Sequence, residues 1–463
     1  MASTTALPEK LAAAGNIVED TERRAKLTFS CARILLVASL LAAPFAFGAV
    51  QVWAWTLLSV IACLLLFLWA LGSVWQQTVR IVWSPLHFAA LAFLLLAAIQ
   101  LMGRFTMDAE GTRESLLKLG AAIIVLFLAT QLWSRPSLDS FFEHSKRWRS
   151  LGLAVTVFSF LMALFAMVQG FSSRGLIYWK VKTDGWAFGP YVNHNDYAGL
   201  MEMLIPIAIA YVLSRPKNRP GAALLGFGLL FPIASVLLSG SRGGCISLAV
   251  ELAVIAAAAG WHFAQRERRR YAAAGLLGLL SVGALLAWLG TANLAKRWES
   301  LDGLAHSPEV TLGDRLLVAH DSLHMFHDHA WIGTGLGSFA VVFPQYQSFP
   351  TDIVYQHAHN DYLEALAETG VGGGLLMLLA AATFFRQAFS GLRTRLEHAS
   401  GWIQFGAAIG CCGLLIHSLA DFNLHIPANG LWFAFLVGIS QSGRSSEAYR
   451  RAVEKPRAAG EAT

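Results

Sequence analysis

Gln356-His-Ala-His-Asn-Asp-Tyr-Leu-Glu-Ala-Leu-Ala-Glu-Thr-Gly-Val-Gly-Gly-Gly374 runs directly into an apolar stretch that begins at Val371 and lasts to residue 389. A stretch of that length and composition predicts a transmembrane helix. Two histidines, Asn360 and three carboxylates (Asp361, Glu364, Glu368) crowd against its edge. Titratable groups are costly beside a membrane span, so their density there marks a candidate site.

Outward from this stretch the apolar pattern repeats. Twelve spans are expected, at residues 32–50, 52–72, 86–102, 116–133, 151–169, 197–214, 221–239, 244–264, 272–290, 371–389, 402–419 and 429–440. With 56% hydrophobic residues and a mean hydropathy of +0.52, the chain is no ordinary soluble enzyme. The expected fold is all-α, a polytopic membrane bundle.

The net charge of +6 does not point to nucleic acid, because the basic residues sit in short links between apolar runs. With the N-terminus inside, one set of loops holds Arg80; Arg135, Lys146, Arg147 and Arg149; Arg215, Lys217 and Arg219; Arg266, Arg268, Arg269 and Arg270; and Arg386, Arg393 and Arg395. The short loops opposite hold only Arg104, Arg113, Arg174, Lys180, Lys182 and Arg242. Fifteen against six places both termini in the cytoplasm by the positive-inside rule. The five cysteines lie in or beside apolar runs without metal-ligand spacing and read as small packing residues.

The expected organisation is a cytoplasmic tail over 1–30, spans one to nine over 31–290 with an outer segment at 170–196, and a large outer loop over 291–370. Spans ten to twelve follow over 371–440, then a cytoplasmic tail over 441–463. Acidic residues at 9, 19, 20 and 22 and the lack of a cleavage pattern argue against a signal peptide. The 170–196 segment carries Phe171, Tyr178, Trp179, Trp186, Phe188 and Tyr191, rings suited to the membrane interface or to stacking on a substrate. In the large loop, 313–326 reads as a helix and Gly333-Thr-Gly-Leu-Gly337 as a tight turn, since no strand precedes it to make a dinucleotide cradle.

Arg242, in Ser239-Gly-Ser-Arg-Gly-Gly244, occupies a link with no room for a loop, on the side where topogenic charge is not needed. Anion binding is the better reading, with flanking glycines that let a ligand approach the backbone. Asn193 and Asn195 straddle the start of span six, as helix caps or as donors to a diphosphate or sugar. His320, His324, His327 and His329 follow Arg315 on the loop helix, yet without a His-Glu-x-x-His pattern they read as solvated. No metal ligand set and no cofactor is expected. His359 has the imidazole chemistry for removing a hydroxyl proton near neutral pH, with Asp361 or Glu364 close enough in sequence to orient it. A second polar knot comprises His417, Asp421, Asn423 and His425, where Asp421 with His425 is expected as a structural pair.

His359-Asn360, nine residues, Gly370, two residues, Gly373 resembles the signature of the bacterial O-antigen ligase and polymerase superfamily. Phe188-Gly-Pro-Tyr-Val-Asn-His-Asn195, the Arg242 block and His417-Ser-Leu-Ala-Asp-Phe-Asn-Leu-His-Ile-Pro-Ala-Asn429 resemble it in the same order. The likeness covers roughly residues 30–440 and departs at Ala330, where the family often has proline. It implies a GT-C type membrane fold and a metal-independent, inverting glycosyltransferase that takes its donor glycan from undecaprenyl diphosphate on the periplasmic face. The acceptor would be a hydroxyl of lipid A-core, of a growing polysaccharide or of a protein. Arg242 and Arg315 match the arginines that hold the diphosphate, and His359 the base. His357, Asn360, Tyr362 and Glu364 are expected beside the substrate, with Gly370 and Gly373 as structural positions. The rival classes are a transporter for lipid-linked glycans, which should line a central cavity with charge, and a metalloprotease built on the histidines.

Overall fold

The computed structural model describes residues 6–79, 81–134, 141–183, 185–215, 221–263, 269, 312–351 and 354–442. In chain order the helices are α1 (Ala6–Ala42), α2 (Val52–Trp75), α3 (Pro85–Met102), α4 (Ala109–Trp133), α5 (Phe141–Ser172), α6 (His194–Leu213), α7 (Ala222–Gly228), α8 (Leu230–Ser239) and α9 (Arg242–His262). After them come α10 (Leu312–Asp328), α11 (Asp361–Phe389), α12 (Ala399–His417) and α13 (Pro427–Gln441). Among the described residues there is no strand, only two isolated bridges, Ile177 with Val181 and Phe188 with Tyr191. The protein is a polytopic all-α membrane protein.

Nine helices among the described residues are long and apolar enough to cross a bilayer: α1 from Glu19 onward, α2 to α6, α9, α11 and α12. Residues 224–239 and α13 are shorter apolar helices that coincide with two further expected spans. The expected span at 272–290 lies outside the described residues, as does 291–311 of the large loop. Two boundaries differ from expectation. α1 starts well before its apolar run, and 221–239 is broken at Leu229 into α7 and α8.

The helix starts are legible in the residues that cap them. Asp108 accepts from the Glu110 and Gly111 amides, Asn193 from Asn195, Ser241 from Gly244, and Asn360 from Tyr362 and Leu363. Each cap satisfies orphan donors and is worth about 1 kcal/mol. α6 is the most enclosed of the candidate spans, with 83% of its apolar window buried. Gly406 and Gly410 let α12 press against the α6 backbone at Pro206 and Met203, where an added Cβ would sit 2.6 Å from each carbonyl oxygen. These two helices form the centre of the bundle.

Gly370, whose residue type predicts a stop for the short helix that follows His359, does break it, so that α11 is two helices joined across this residue. α11 kinks there, at φ 65° and ψ −165°, and resumes. The carbonyls of Ala367 and Glu368 accept from Thr334 and Gly335 of the glycine turn, while Val371 N–H donates 2.7 Å to Ala330 O. Gln100 of α3 clamps the same place, donating to Ile332 O at 2.6 Å and Glu368 O at 2.7 Å and accepting from Leu336 N–H at 3.1 Å. The Ala367 and Glu368 carbonyls and the Val371 N–H thus find partners at the break, which sets the first two turns of α11 apart from its membrane-length remainder. Gly373 packs on Thr369 and faces Phe93 of α3.

Candidate active site

The starts of α6, α9 and α11 and the end of α12 meet at one end of the bundle, with α10 beside them. Leu419 O accepts from Asn360 Nδ2, Ser418 O from Asp361 N–H, and Leu415 O from the Tyr362 hydroxyl at 2.6 Å. The strap 354–360 is thereby laid across the end of α12. His359 holds φ 50°, a left-handed conformation that a residue with a Cβ adopts only at a cost of about 1–3 kcal/mol.

The strap sends its two histidines to different partners. His357 Nδ1 donates to Glu364 Oε1 at 2.7 Å, whereas His359 Nδ1 lies 3.7 Å from Asp421 Oδ1. Asp421 is fully buried, and its other oxygen is 4.0 Å from His417 Nε2. Arg315 of α10 donates 2.6 Å to Ala420 O, the residue before Asp421. Burial acts to raise the Asp421 carboxyl, but His359, His417 and Arg315 outweigh it and hold the group well below the usual carboxylate range.

Arg242 is the exposed first residue of α9. Its neighbours touch the same cluster: Ser241 Oγ is 3.5 Å from His417 Nε2, and a Cβ on Gly243 would sit 2.4 Å from His417 Cδ2. The structure thus brings His359 and Arg315 together around Asp421 and seats the Arg242 turn on His417. A neutral imidazole whose Nδ1 edge faces a carboxylate keeps Nε2 free to take a proton. Two guanidinium groups nearby, one at a helix N-terminus, suit a diphosphate.

Two sequence expectations are corrected. Asp361 and Glu364 do not orient His359, and Asp421 does not pair with His425. The short turn at Asn423–His425 carries His425 toward the start of α11 instead. There Nδ1 donates to Asp361 Oδ1 at 2.7 Å and Nε2 stands 3.2 Å from Glu364 Oε1. Burial opposes charge on His425, yet Glu364 and Asp361 raise it to about 10. Donor atoms of His357, Glu364 and His425 lie within 4.8 Å of one another, a set that could hold a divalent ion. His357 Nδ1 and both nitrogens of His425 already face carboxylate oxygens.

Asn193 is the α6 cap. Asn195 is buried two residues later in the first turn of α6, and the neighbouring Asp196 O accepts from Asn429 Nδ2 at 2.8 Å. Tyr362 and Glu364 are engaged with the protein as described. Of the aromatics at 170–196, Phe188 and Tyr191 are buried, whereas Phe171 and Trp179 point outward. His320 and His324 are exposed on α10, with their Nε2 atoms 3.3 Å apart. Sequence reasoning missed Glu202, whose Oε1 is 2.9 Å from His417 Nδ1, and Gln100. A lone carboxylate inside an expected span was the available signal for Glu202.

A cavity of about 680 Å³ opens between α2, α3, α4, α11 and α13, walled by Trp55, Leu86, Phe93, Met377, Phe384 and Phe433. His357, Tyr362, Glu364 and His425 reach its polar end, while His359, Asp421 and His417 are not among its walls. No curated protein matches the chain. Residues 227–378, which contain Arg242, Arg315 and His359, match the family model described as O-antigen ligase, a likeness in keeping with the O-antigen ligase and polymerase superfamily.

Proposed function

We propose that the protein transfers a glycan from undecaprenyl diphosphate to an acceptor hydroxyl, in the manner of an O-antigen ligase. The acceptor oxygen attacks the anomeric carbon as the bond from that carbon to the diphosphate oxygen breaks. The hydroxyl proton passes to His359 Nε2, and undecaprenyl diphosphate departs. A single displacement inverts the anomeric centre. Arg315 and Arg242 neutralise the leaving diphosphate with guanidinium forks, so the reading calls for no metal. Asp421 holds His359 in the tautomer that accepts a proton and stabilises the imidazolium that forms.

The observation that carries this reading is the placement of His359 and Arg315 on either side of the buried Asp421, within the family-matched segment. The apolar cavity beside the strap supports a lipid-borne substrate. The loop-charge asymmetry supports an inner-membrane protein with cytoplasmic termini and its active site on the periplasmic face. Chain polymerisation or transfer to a protein hydroxyl would use the same donor and displacement. A transporter is disfavoured because most of the expected spans carry almost no charge. Reconstitution of the purified protein with an undecaprenyl-diphosphate glycan and each acceptor class, followed by product mass, tests the assignment. A donor left intact with every acceptor would sink it.

A further inference from the structure

The mechanism above leaves His417 and Glu202 without a role, although both are buried at the heart of the bundle. Glu202 is 0% and His417 2% exposed. Ionisable groups in such places are expensive and persist when function needs them. Glu202 Oε1 faces His417 Nδ1 at 2.9 Å. On the other edge of the ring, Nε2 faces Asp421 Oδ2 at 4.0 Å and Ser241 Oγ at 3.5 Å. With a carboxylate oxygen facing each nitrogen, the ring fits as an imidazolium held electrostatically from both edges. Gly243 carries no side chain where the ring passes, so the first turn of α9 lies directly on it.

We propose that His417, held by Glu202, is a positioning residue that couples the two halves of the active site: it seats the Ser241–Gly243 turn bearing Arg242 and shares Asp421 with the base His359. This rests on the function proposed above and adds to it. The donor-binding turn and the carboxylate behind the base touch the same ring, so neither can shift without moving the other. Electrostatically, the cation at His417 competes with His359 for Asp421, and Glu202 offsets that competition. The other titratable groups facing this cluster are Asp196 of α6, Glu251 and Cys245 of α9, and Arg315 of α10.

Opposite charges on His417 and Glu202 give a test that packing alone cannot mimic. Deleting the cation in His417→Gln leaves Asp421 free for His359, which favours the protonated base and moves the acid limb of the kcat profile to higher pH. Deleting the anion in Glu202→Gln moves that limb to lower pH. Both variants are expected to lose about tenfold or more in kcat, while undecaprenyl-diphosphate binding changes less than about threefold. Limbs that move the same way, or stay in place, in folded variants overturn the proposal. If neither variant folds, Ser241→Ala decides: reduced kcat at unchanged donor affinity supports the coupling, and wild-type kcat refutes it. An inactive His359→Ala beside wild-type His417→Gln and Glu202→Gln would overturn the coupling alone, whereas an active His359→Ala would overturn the base assignment.

Discussion

His359 Nδ1 stands 3.7 Å from Asp421 Oδ1, joining the strap before α11 to the turn after α12. The carboxylate is fully buried and the imidazole nearly so, at 1% and 14% side-chain exposure. If this pair is base and orienter, Asp421→Asn lowers kcat by about 10² to 10⁴ with little change in donor affinity. His359→Ala abolishes transfer while donor binding persists. Single-turnover kinetics with labelled donor separates the two effects, and wild-type turnover by either variant would count against the pairing.

Arg315 differs from the base in touching both steps. Its guanidinium is docked on Ala420 O and faces the leaving group as proposed. Arg315→Ala should weaken donor binding by about tenfold to a hundredfold, as expected for lost charge-assisted hydrogen bonds, and should also slow turnover. Arg315→Lys should restore only part of the affinity, because an ammonium cannot make the planar fork. Binding of an undecaprenyl-diphosphate analogue measures this.

Gly370 occupies backbone space closed to other residues. At φ 65° an added Cβ would lie 2.7 Å from the carbonyl oxygens of Ala330 and Trp331. Gly370→Ala is expected to cost about 1–3 kcal/mol and to disturb the strap borne on the same helix. A lowered melting temperature in detergent together with reduced activity is the expected result; an unchanged melt would argue that the kink relaxes freely.

His425 gives the stability a pH signature. Its folded value, raised to about 10 by Glu364 and Asp361 against burial, exceeds the ordinary histidine value of about 6.5. The stabilisation it brings is therefore complete below about 6.5 and lost as pH rises through about 10. The melting-temperature deficit of His425→Gln should be largest at pH 6 and shrink toward pH 10. A deficit that is constant across this range would contradict the ion-pair account.

The proposed orientation is open to labelling. Trp331 is 84% exposed beside the glycine turn, and Arg393 is exposed on the short helix between α11 and α12. In a background with the native cysteines replaced, Trp331→Cys should react with an impermeant maleimide added to intact cells, and Arg393→Cys only after lysis. The reverse pattern would place the site on the cytoplasmic side.

Much of this was determined by the sequence itself. Spans are legible because a membrane helix satisfies its hydrogen bonds locally and must be apolar along its whole length. Asn193, Ser241 and Asn360 announce their helix starts because capping is a local interaction. The prominence of His359 and Arg242 follows from placing costly polar groups in or beside an apolar chain, whereas Arg315 stands out only through the resemblance to the O-antigen ligase and polymerase superfamily. Tertiary structure alone decided which carboxylate serves which imidazole. Asp361 and Glu364, close to His359 in sequence, turn to His425 and His357, while Asp421 arrives from the turn after α12 and Glu202 from α6. Those pairings depend on how α6, α11 and α12 are rotated and packed, and on the left-handed turn at His359, quantities that no local run of residues encodes.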